Sequence, residues 1–460
     1  MKKILIFLTL IVLTIAILPI IGNSVVEETL NTKLQTLQEH GIDIAKVDTD
    51  STYLLTKTHY EFLLRDADKF LEYLSKYSDK QLPPYTDAML EGIIIGGDLQ
   101  YRNFPFSKAV CIDIYPLSLS TGMIDEIKKE DLDFYKYIDS FLQGKGILYH
   151  INYNVISKDF DGFLKDINES YTLKDSSEVS LELTDALYHG NGDLIAPTQL
   201  ISSVEKIVLK IANDELDVDF NLNGFSSSSN FESQSTYLTS SQLDNLEFSI
   251  STIDDNLTLR SSKLNFNLSS NTQGPKAQMF AKSSFKDLTL KSKELNLKFS
   301  EFNYDISLDD IDKDSLEEFR VLLSKVRNGT QNDAFEEKIR NSLYKVLSYG
   351  ARLDIADFSF KKIVLNEKEN LEGLTLISSL VLHEDKNFAK KMTYFPIAIV
   401  QSIDTNIKLK ISKKIFAKML ELNQMVSILQ EYAKDEGSSV VFEIIFKNGE
   451  FRINGKALSL

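Results

Sequence analysis

Apolar and polar residues alternate with a period of two through the middle of the chain, from about residue 193 to residue 311. Side chains of a β-strand point alternately to its two faces, so apolar residues two positions apart share one face. The clearest stripes are Leu246, Phe248 and Ile250; Leu264, Phe266 and Leu268; and Leu295, Leu297 and Phe299. Polar residues fill most of the positions between them. This pattern predicts antiparallel strands in an open or curved sheet with one wet face.

The alternation is interrupted at Ser300 and Glu301 and resumes at Phe302. One extra residue at this point predicts a β-bulge, which bends a strand and increases its twist. Residues 226–229, four serines that follow Asn223-Gly224, are predicted to form a loop, because serine-rich runs after Asn-Gly are typical of turns.

Helical signals lie on either side of this region. Helices are predicted near residues 65–77 and 125–142, with strand-like runs between them. Further along, Ser315 and Glu318 form a capping box that opens a helix. Strands are predicted near residues 351–365, 374–383 and 397–411, and the two Asn-Gly pairs at 448–449 and 454–455 predict the turns of a closing hairpin.

Together these signals predict an α+β fold: an N-terminal membrane helix followed by a large, mostly antiparallel curved β-sheet unit with flanking helices. Four regions are expected. They are residues 1–24, a signal anchor; residues 25–192, a mixed α+β region; residues 193–311, an antiparallel β-rich region; and residues 312–460, an α+β C-terminal region.

A long helix is predicted over residues 413–432, with an apolar stripe at four-three spacing. The stripe consists of Ile415, Met419, Leu422, Val426 and Leu429. It could be a coiled-coil seam for a homodimer, but it lasts for fewer than three heptads. Packing of the stripe against neighbouring strands is therefore the favoured interpretation, and dimerisation is the alternative.

The N-terminus carries a membrane-targeting pattern. Lys2 and Lys3 precede an uncharged, mostly apolar run of 18 residues, 4–21. A helix of that length is about 27 Å long, close to the thickness of the hydrocarbon core of a bilayer. Because no Ala-x-Ala cleavage site follows, an uncleaved inner-membrane anchor is favoured over a cleaved signal peptide. The lysines place the N-terminus in the cytoplasm and the bulk of the chain in the periplasm.

Composition excludes some partners and some stabilising devices. The formal net charge of −16 argues against nucleic acid and against anionic lipid head groups as electrostatic partners, because a protein that neutralises phosphates needs a basic face. Cys111 is the only cysteine, so the chain cannot form an intramolecular disulfide. Its apolar neighbours Val110 and Ile112 favour a buried structural thiol.

No catalytic, cofactor-binding or metal-binding residue is predicted. His383-Glu384 lacks the second histidine of a zinc helix. The alternating carboxylates at residues 310–314 lack the glycine and the glutamate of a calcium loop, so the charge at a helix N-terminus explains them better. The acidic residues between 214 and 219 are interpreted as a solvated face. Asn168 and Asn256 lie in sequons with an acidic residue two positions upstream, and their glycosylation is left open.

The chain resembles the YdgA family, a group of bacterial membrane-anchored proteins of unassigned biochemical function. The resemblance rests on the N-terminal anchor, the segment at residues 101–106, the Ser/Asn-rich alternating middle, and the ending at residues 447–456. That ending is similar to the family's closing Asn-Gly-x-x-x-x-Asn-Gly signature. The chain departs from the family by having Arg102-Asn103 where a His-Gly pair is expected. The resemblance implies an envelope location and supplies no catalytic residues.

Three functions are open at this point. The first is a non-enzymatic envelope protein with an interaction or scaffolding role. The second is a carrier of a lipid or another hydrophobic ligand, in which the apolar face of the sheet is not covered by helices. The third is a hydrolase with a non-local site, which ranks last because no residue is a convincing nucleophile. Covered or uncovered apolar positions between Leu246 and Ile306 discriminate the first two.

Overall fold

A computed structural model describes residues 34–75, 90–103, 109–194, 196–233, 235–324, 333–366, 369–394, 396–422, 424–447 and 449–457. The predicted anchor, residues 4–21, and residues 104–106 of the family-like segment lie outside the described residues. Among the helices of the described ranges, none is both long enough and apolar enough to span a bilayer. The chain divides into two compact units, Met1–Asp214 (unit 1) and Glu215–Leu460 (unit 2).

The predicted α+β class is wrong, because the protein is mostly antiparallel sheet. Strand accounts for 60% of the structure and helix for 23%. The longest helix of the described residues, Asp333–Ser348, has 16 residues, whereas the strands in the middle of the chain run for 16 or 17 residues each. The helical signals in the sequence therefore belong to short helices that connect strands. Long strands also continue well beyond residue 311, where the predicted β-rich region ends.

Unit 1 contains ten strands in its described part. They are β1 (Ile42–Ser51), β2 (Leu55–Leu64), β3 (Ile94–Arg102), β4 (Ala109–Ser118), β5 (Tyr149–Asn154), β6 (Asp159–Leu164), β7 (Ile167–Thr172), β8 (Glu178–Thr184), β9 (Ala186–Gly192) and β10 (Pro197–Ala212). Its helices are α1 (Ala67–Ser75), α2 (Thr121–Glu130) and α3 (Leu132–Gln143), and residues 34–39 are also helical.

The strands of unit 1 pair mostly with their neighbours in the chain. β1 to β6 pair in succession, β6 pairs with β9, and β7 pairs with β8. β10 pairs with β9 through its first half and with β8 through its second half. Tyr60, Leu99, Tyr101 and Val110 form a buried cluster on one face of β2, β3 and β4. The other face of these strands carries the polar residues described below.

Unit 2 contains twelve strands in its described part. They are β11 (Leu216–Phe231), β12 (Tyr237–Thr252), β13 (Asn256–Asn271), β14 (Lys276–Ser292), β15 (Asn296–Asp312), β16 (Ala351–Leu365), β17 (Glu369–Leu382), β18 (Ile403–Ser412), β19 (Lys434–Glu436), β20 (Ser439–Lys447), β21 (Glu450–Ile453) and β22 (Lys456–Ala457). Its helices are α4 (Lys313–Ser324), α5 (Asp333–Ser348), α6 (Phe388–Tyr394) and α7 (Lys413–Leu422), with 3₁₀ segments at Pro396–Ser402 and Gln424–Tyr432.

Unit 2 is an antiparallel meander. β11 to β18 pair in succession, β18 pairs with β20, and β20 also pairs with β19 and β21. A buried cluster joins Ile411 and Phe442 from the sheet to Ile415 and Phe416 from α7. Four residues of the predicted apolar stripe thus pack in this cluster beside the strands, as the favoured interpretation predicted: Ile415, Met419, Val426 and Leu429.

The strands of unit 2 share an interruption at one level. On alternate strands a residue there has positive φ: Gly224 at 67°, Lys263 at 51°, Glu301 at 50° and Gly373 at 72°. These four residues form what we term the left-handed row. The strand pairing skips them, and it also skips Asp244, Lys286 and Lys361 on the strands between them. Each strand has one extra residue at the same level, so apolar side chains on both sides of the row keep a common face.

Side-chain ion pairs link neighbours along this level. Lys263 Nζ lies 2.6 Å from Asp244 Oδ1, and Lys361 Nζ lies 2.6 Å from Glu301 Oε1. The interruption that the sequence predicts at Ser300-Glu301 belongs to this row. It is not a two-against-one bulge, because Lys286 on β14 is a matching extra residue.

Some local predictions are wrong. Residues 226–229 lie inside β11, where the hydroxyls of Ser227 and Ser241 are 2.9 Å apart across the strand pair. The helix predicted over 125–142 is two helices, α2 and α3, because the Asp131 side chain accepts hydrogen bonds from the amides of Asp133 and Phe134 and caps α3. The helix predicted over 413–432 ends at Leu422 and is followed by a 3₁₀ segment.

Candidate functional site

One face of β11 to β16 is built from apolar rows that run across the strands. Residues directly opposite each other in antiparallel pairs share a face. The first row is Phe220, Phe248, Leu259, Leu290, Leu297 and Leu365. The second row is Leu222, Leu246, Ser261, Leu288, Phe299 and Ile363. Beyond the left-handed row the third consists of Phe225, Leu243, Leu264, Phe285, Phe302 and Phe360. We call these three rows the apolar face.

Helices pack on this sheet near its C-terminal strands, and α4 and α5 also pack against Ala277, Ile311 and Ala351 at one end of β14 to β16. Phe360 packs against the buried cluster that α7 forms with β18 and β20. In the described ranges, no buried hydrophobic cluster includes a side chain from β11, β12 or β13. The residues of the apolar face are half-buried, apart from the buried Ser261. This arrangement corresponds to the uncovered alternative of the sequence analysis.

Aromatic rings stiffen the third row. The rings of Phe285 and Phe302 stack with centroids 4.8 Å apart, and Phe302 meets Phe358 edge-on at 5.5 Å. Ser261, in the second row, is 8% exposed, and its hydroxyl is the one buried side-chain polar atom of the described residues without a hydrogen-bond partner. A buried hydroxyl without a partner costs about 1–3 kcal/mol. A hydrogen-bond acceptor or donor from a ligand would remove that cost.

A cleft of about 690 Å³ lies at one end of the same strands. Most of the residues that line it are polar, and they include Asn230, Glu232, Ser269, Asn271 and Gln278. Unit 2 therefore combines an extended apolar face with a polar cleft at the ends of β11 to β15.

Unit 1 carries a second concentration of functional side chains. Asp48, His59, Asp98, Asp113 and His150 lie directly opposite one another on β1 to β5, and we call them the histidine row. They occupy the face opposite to the buried Tyr60–Val110 cluster. The register of five strands thus brings two histidines and three carboxylates to one line.

Asp98 is the centre of the first half of this row. His59 Nδ1 lies 2.7 Å from Asp98 Oδ1, Tyr115 donates its hydroxyl to Asp98 Oδ2 at 3.1 Å, and Lys145 Nζ donates to the same oxygen. Burial raises the pKa of Asp98, but hydrogen bonds from Lys145 and His59 outweigh it, so the pKa lies below its ordinary value. Lys145 also lies 4.3 Å from the centre of the Tyr115 ring. Because it has contacts from three side chains, one of them the Lys145 ammonium, Asp98 is best explained as a structural carboxylate.

Cys111 lies beside the second half of the row. It precedes Asp113 by two positions on β4, so the two side chains share a face, and both lie near His150 on β5. Burial, and to a lesser extent the charge of Asp113, raises the pKa of the Cys111 thiol. A neutral thiol is a poor nucleophile. The sequence prediction of a purely structural apolar thiol missed this polar neighbourhood.

The other motifs weighed in the sequence do not come together with these residues. His383 Nε2 lies 3.0 Å from Asp404 Oδ2 and is half exposed. Asp312 accepts hydrogen bonds from the amide and hydroxyl of Ser315, so Asp312 caps α4 in place of the expected Ser315. In the sequence, the spacing of two residues between Cys111 and Asp113 indicates that their side chains share a face. The position of His150 beside them depends on the register of β4 with β5, which the sequence does not show.

Comparison of the chain with family models, with curated proteins and with solved structures finds no match. The function is therefore inferred from the two sites themselves.

Proposed function

We propose that this protein binds the acyl chains of a membrane lipid along its apolar face. The observation that carries the proposal is that rows of leucine and phenylalanine cross six strands, and in the described chain only their end at Phe360 packs against a buried cluster. Soluble surfaces rarely keep so continuous an apolar area without a ligand or partner. The second of the sequence-based functions, lipid or hydrophobic-ligand binding, is therefore preferred over a scaffold.

The dimensions and chemistry of the face suit an amphipathic ligand. Six strands at a spacing of about 4.8 Å give a width of about 24 Å. Burial contributes about 0.8 kcal/mol per methylene group, so a chain of about a dozen methylenes could supply several kcal/mol. The unpartnered Ser261 hydroxyl and the polar cleft at the strand ends offer hydrogen bonds to an ester or a head group. A second copy of the chain is the competing occupant.

A location at the inner membrane is part of the same proposal. Residues 4–21 would anchor the protein in the bacterial inner membrane and hold the remaining chain in the periplasm, beside the source of lipid. In this proposal the protein is a non-enzymatic, single-pass member of the YdgA family. It requires no cofactor and no nucleic acid.

A photoreactive amino acid placed at Leu264 of the full chain in growing cells should cross-link to phospholipid. The matched control is Asn265, the next residue on β13, whose side chain lies on the opposite face. We expect labelling at position 264 to exceed that at 265 by roughly tenfold, which corresponds to about 1.4 kcal/mol of preference. Mass spectrometry of the adduct identifies the lipid.

A charge on the apolar face should abolish this difference, because an acyl chain cannot solvate a carboxylate. Leu246→Glu is the test variant, and Asn245→Glu adds the same charge to the opposite face of β12. Equal lipid labelling at positions 264 and 265 contradicts the proposal. Adducts at 264 with protein alone also contradict it, and adducts with a second copy of this chain favour the dimer.

The proposed topology has its own test. Protease added to spheroplasts should degrade the chain beyond residue 24, while the same protease added to intact cells should leave it whole. A cytoplasmic protein released by lysis serves as the control for membrane integrity. Protection of the chain in spheroplasts would show that the positive residues Lys2 and Lys3 do not set the orientation inferred here.

A further inference from the structure

Three metal-ligating side chains meet on the polar face of β4 and β5 in unit 1. Cys111 and Asp113 lie two residues apart on β4, and His150 lies directly opposite Asp113 on β5. Cys111 Sγ, one Asp113 carboxylate oxygen and one His150 ring nitrogen all lie within 4.8 Å of one another. None of the three is fully buried or fully exposed, so an ion can reach them from solvent.

The distances between these atoms are close to those of a coordination sphere. Sγ lies 3.9 Å from His150 Nε2 and 4.0 Å from Nδ1, and Asp113 Oδ1 lies 2.7 Å from Nδ1. Sulfur and nitrogen ligands of tetrahedral Zn²⁺ are about 3.5 Å apart, given bond lengths of about 2.3 and 2.0 Å. Small side-chain rotations would therefore bring all three donors to one ion.

The same distances argue against a nucleophilic cysteine. A histidine that activates a thiol directs one ring nitrogen at the sulfur, within about 3.2 Å. Here the sulfur is almost equally far from both nitrogens, so it lies beside the ring and not in line with either of them.

Neighbouring residues hold the histidine in place. Its ring stacks on Phe163 of β6, with centroids 4.8 Å apart, and Tyr188 donates its hydroxyl to the His150 carbonyl oxygen at 2.8 Å. Gly162 leaves room for this contact, since a Cβ there would lie 2.1 Å from the same carbonyl oxygen. Supporting contacts of this kind orient a ligand and strengthen metal binding.

We propose that Cys111, Asp113 and His150 form a three-ligand site for a single transition-metal ion of the Zn²⁺ class. One thiolate, one imidazole and one carboxylate are the donors that Zn²⁺ accepts, and a hard cation such as Mg²⁺ or Ca²⁺ would not select the sulfur. Three protein ligands leave a fourth position for water or for an exogenous group. On binding, the ion displaces the thiol proton of Cys111, which goes to solvent, and neutral His150 binds the ion through the ring nitrogen that carries no proton.

Cobalt titration of the tag-free full chain tests the site. Co²⁺ bound to a thiolate gives a near-ultraviolet charge-transfer band, and Cys111 is the only cysteine, so the band reports on this site alone. We expect one equivalent of Co²⁺ to saturate the band and one equivalent of Zn²⁺ to abolish it. Cys111→Ser should remove the band, and His150→Ala should weaken binding by at least about tenfold.

His189→Ala is the matched control, because this histidine lies on β9 of the same unit and outside the ligand set. It should leave the titration unchanged. A readout without any substitution is alkylation of Cys111 in the wild-type chain, which Zn²⁺ should slow by roughly tenfold or more. The absence of a charge-transfer band, a band that persists in His150→Ala, or alkylation that Zn²⁺ does not slow overturns the proposal. Lipid labelling at position 264 does not depend on any of these results.

Discussion

Replacing Phe442 by alanine is expected to lower the free energy of unfolding by about 3–5 kcal/mol. Phe442 is 1% exposed and lies in the cluster that joins β18 and β20 to α7, with its ring centre 5.4 Å from that of Phe416. Truncation removes apolar burial and leaves a cavity that rigid neighbours cannot fill. Urea denaturation followed by circular dichroism measures the change, because the chain has no tryptophan.

Ile445→Ala is the control for this substitution. Ile445 lies on the same strand but is 42% exposed, so its truncation should cost less than about 1 kcal/mol. Similar losses at the two positions would mean that α7 does not close over β20 in solution. The contact between helix and sheet in unit 2 would then be wrong.

Asp98→Asn is expected to destabilise the protein by about 1–2 kcal/mol at neutral pH. The carboxylate accepts hydrogen bonds from His59, Tyr115 and Lys145, and the amide cannot compensate the charge of Lys145. This loss of stability is at the low end for hydrogen bonds to a charged group, because the Asp98 side chain is 34% exposed and water partly screens its charge.

The cost of this substitution should depend on pH. The pKa of Asp98 is lower in the folded chain than in the unfolded chain, so the carboxylate stabilises the fold above the unfolded pKa of about 4. That contribution is lost as pH falls through the folded pKa. Unfolding free energies of the wild type and Asp98→Asn should therefore differ most above about pH 5 and converge in more acidic solution.

Asp48→Asn is the control, since Asp48 belongs to the same row but is exposed on β1. It should change the unfolding free energy by less than about 0.5 kcal/mol at every pH. A difference between wild type and Asp98→Asn that stays constant down to acidic pH would show that the Asp98 charge does not provide the stabilisation.

Local pattern predicted individual strands well. The strand expected over residues 351–365 matches β16, and the expected closing hairpin matches the antiparallel pair β20 and β21. These elements depend on alternation and turn residues, which are local. The shared apolar side of Leu264, Phe266 and Leu268 follows from the same rule.

Non-local pairing explains most of what the sequence did not predict. Nothing near Cys111 shows that His150 will lie beside it, because that contact depends on the register of β4 with β5 across two helices. The serines at 226–229 look like a turn until β12 supplies cross-strand partners for them. The predicted fold class was wrong because amphipathic runs show that helices are present. They do not show that these helices are short compared with the strands that they connect.

At the left-handed row, the number of residues in each strand matters more for the apolar face than the identity of the residues in the row. Lys263 and Glu301 are exposed, and many side chains could replace them at a small cost. Deleting either residue is different, because it shifts the alternation of half a strand by one position and turns its leucines and phenylalanines towards water. The neighbouring strands would keep their own alternation, so a shift in the register of the shortened strand cannot compensate for the deletion. The apolar face therefore stays continuous only if each of the seven strands, β11 to β17, keeps its one extra residue at the same level.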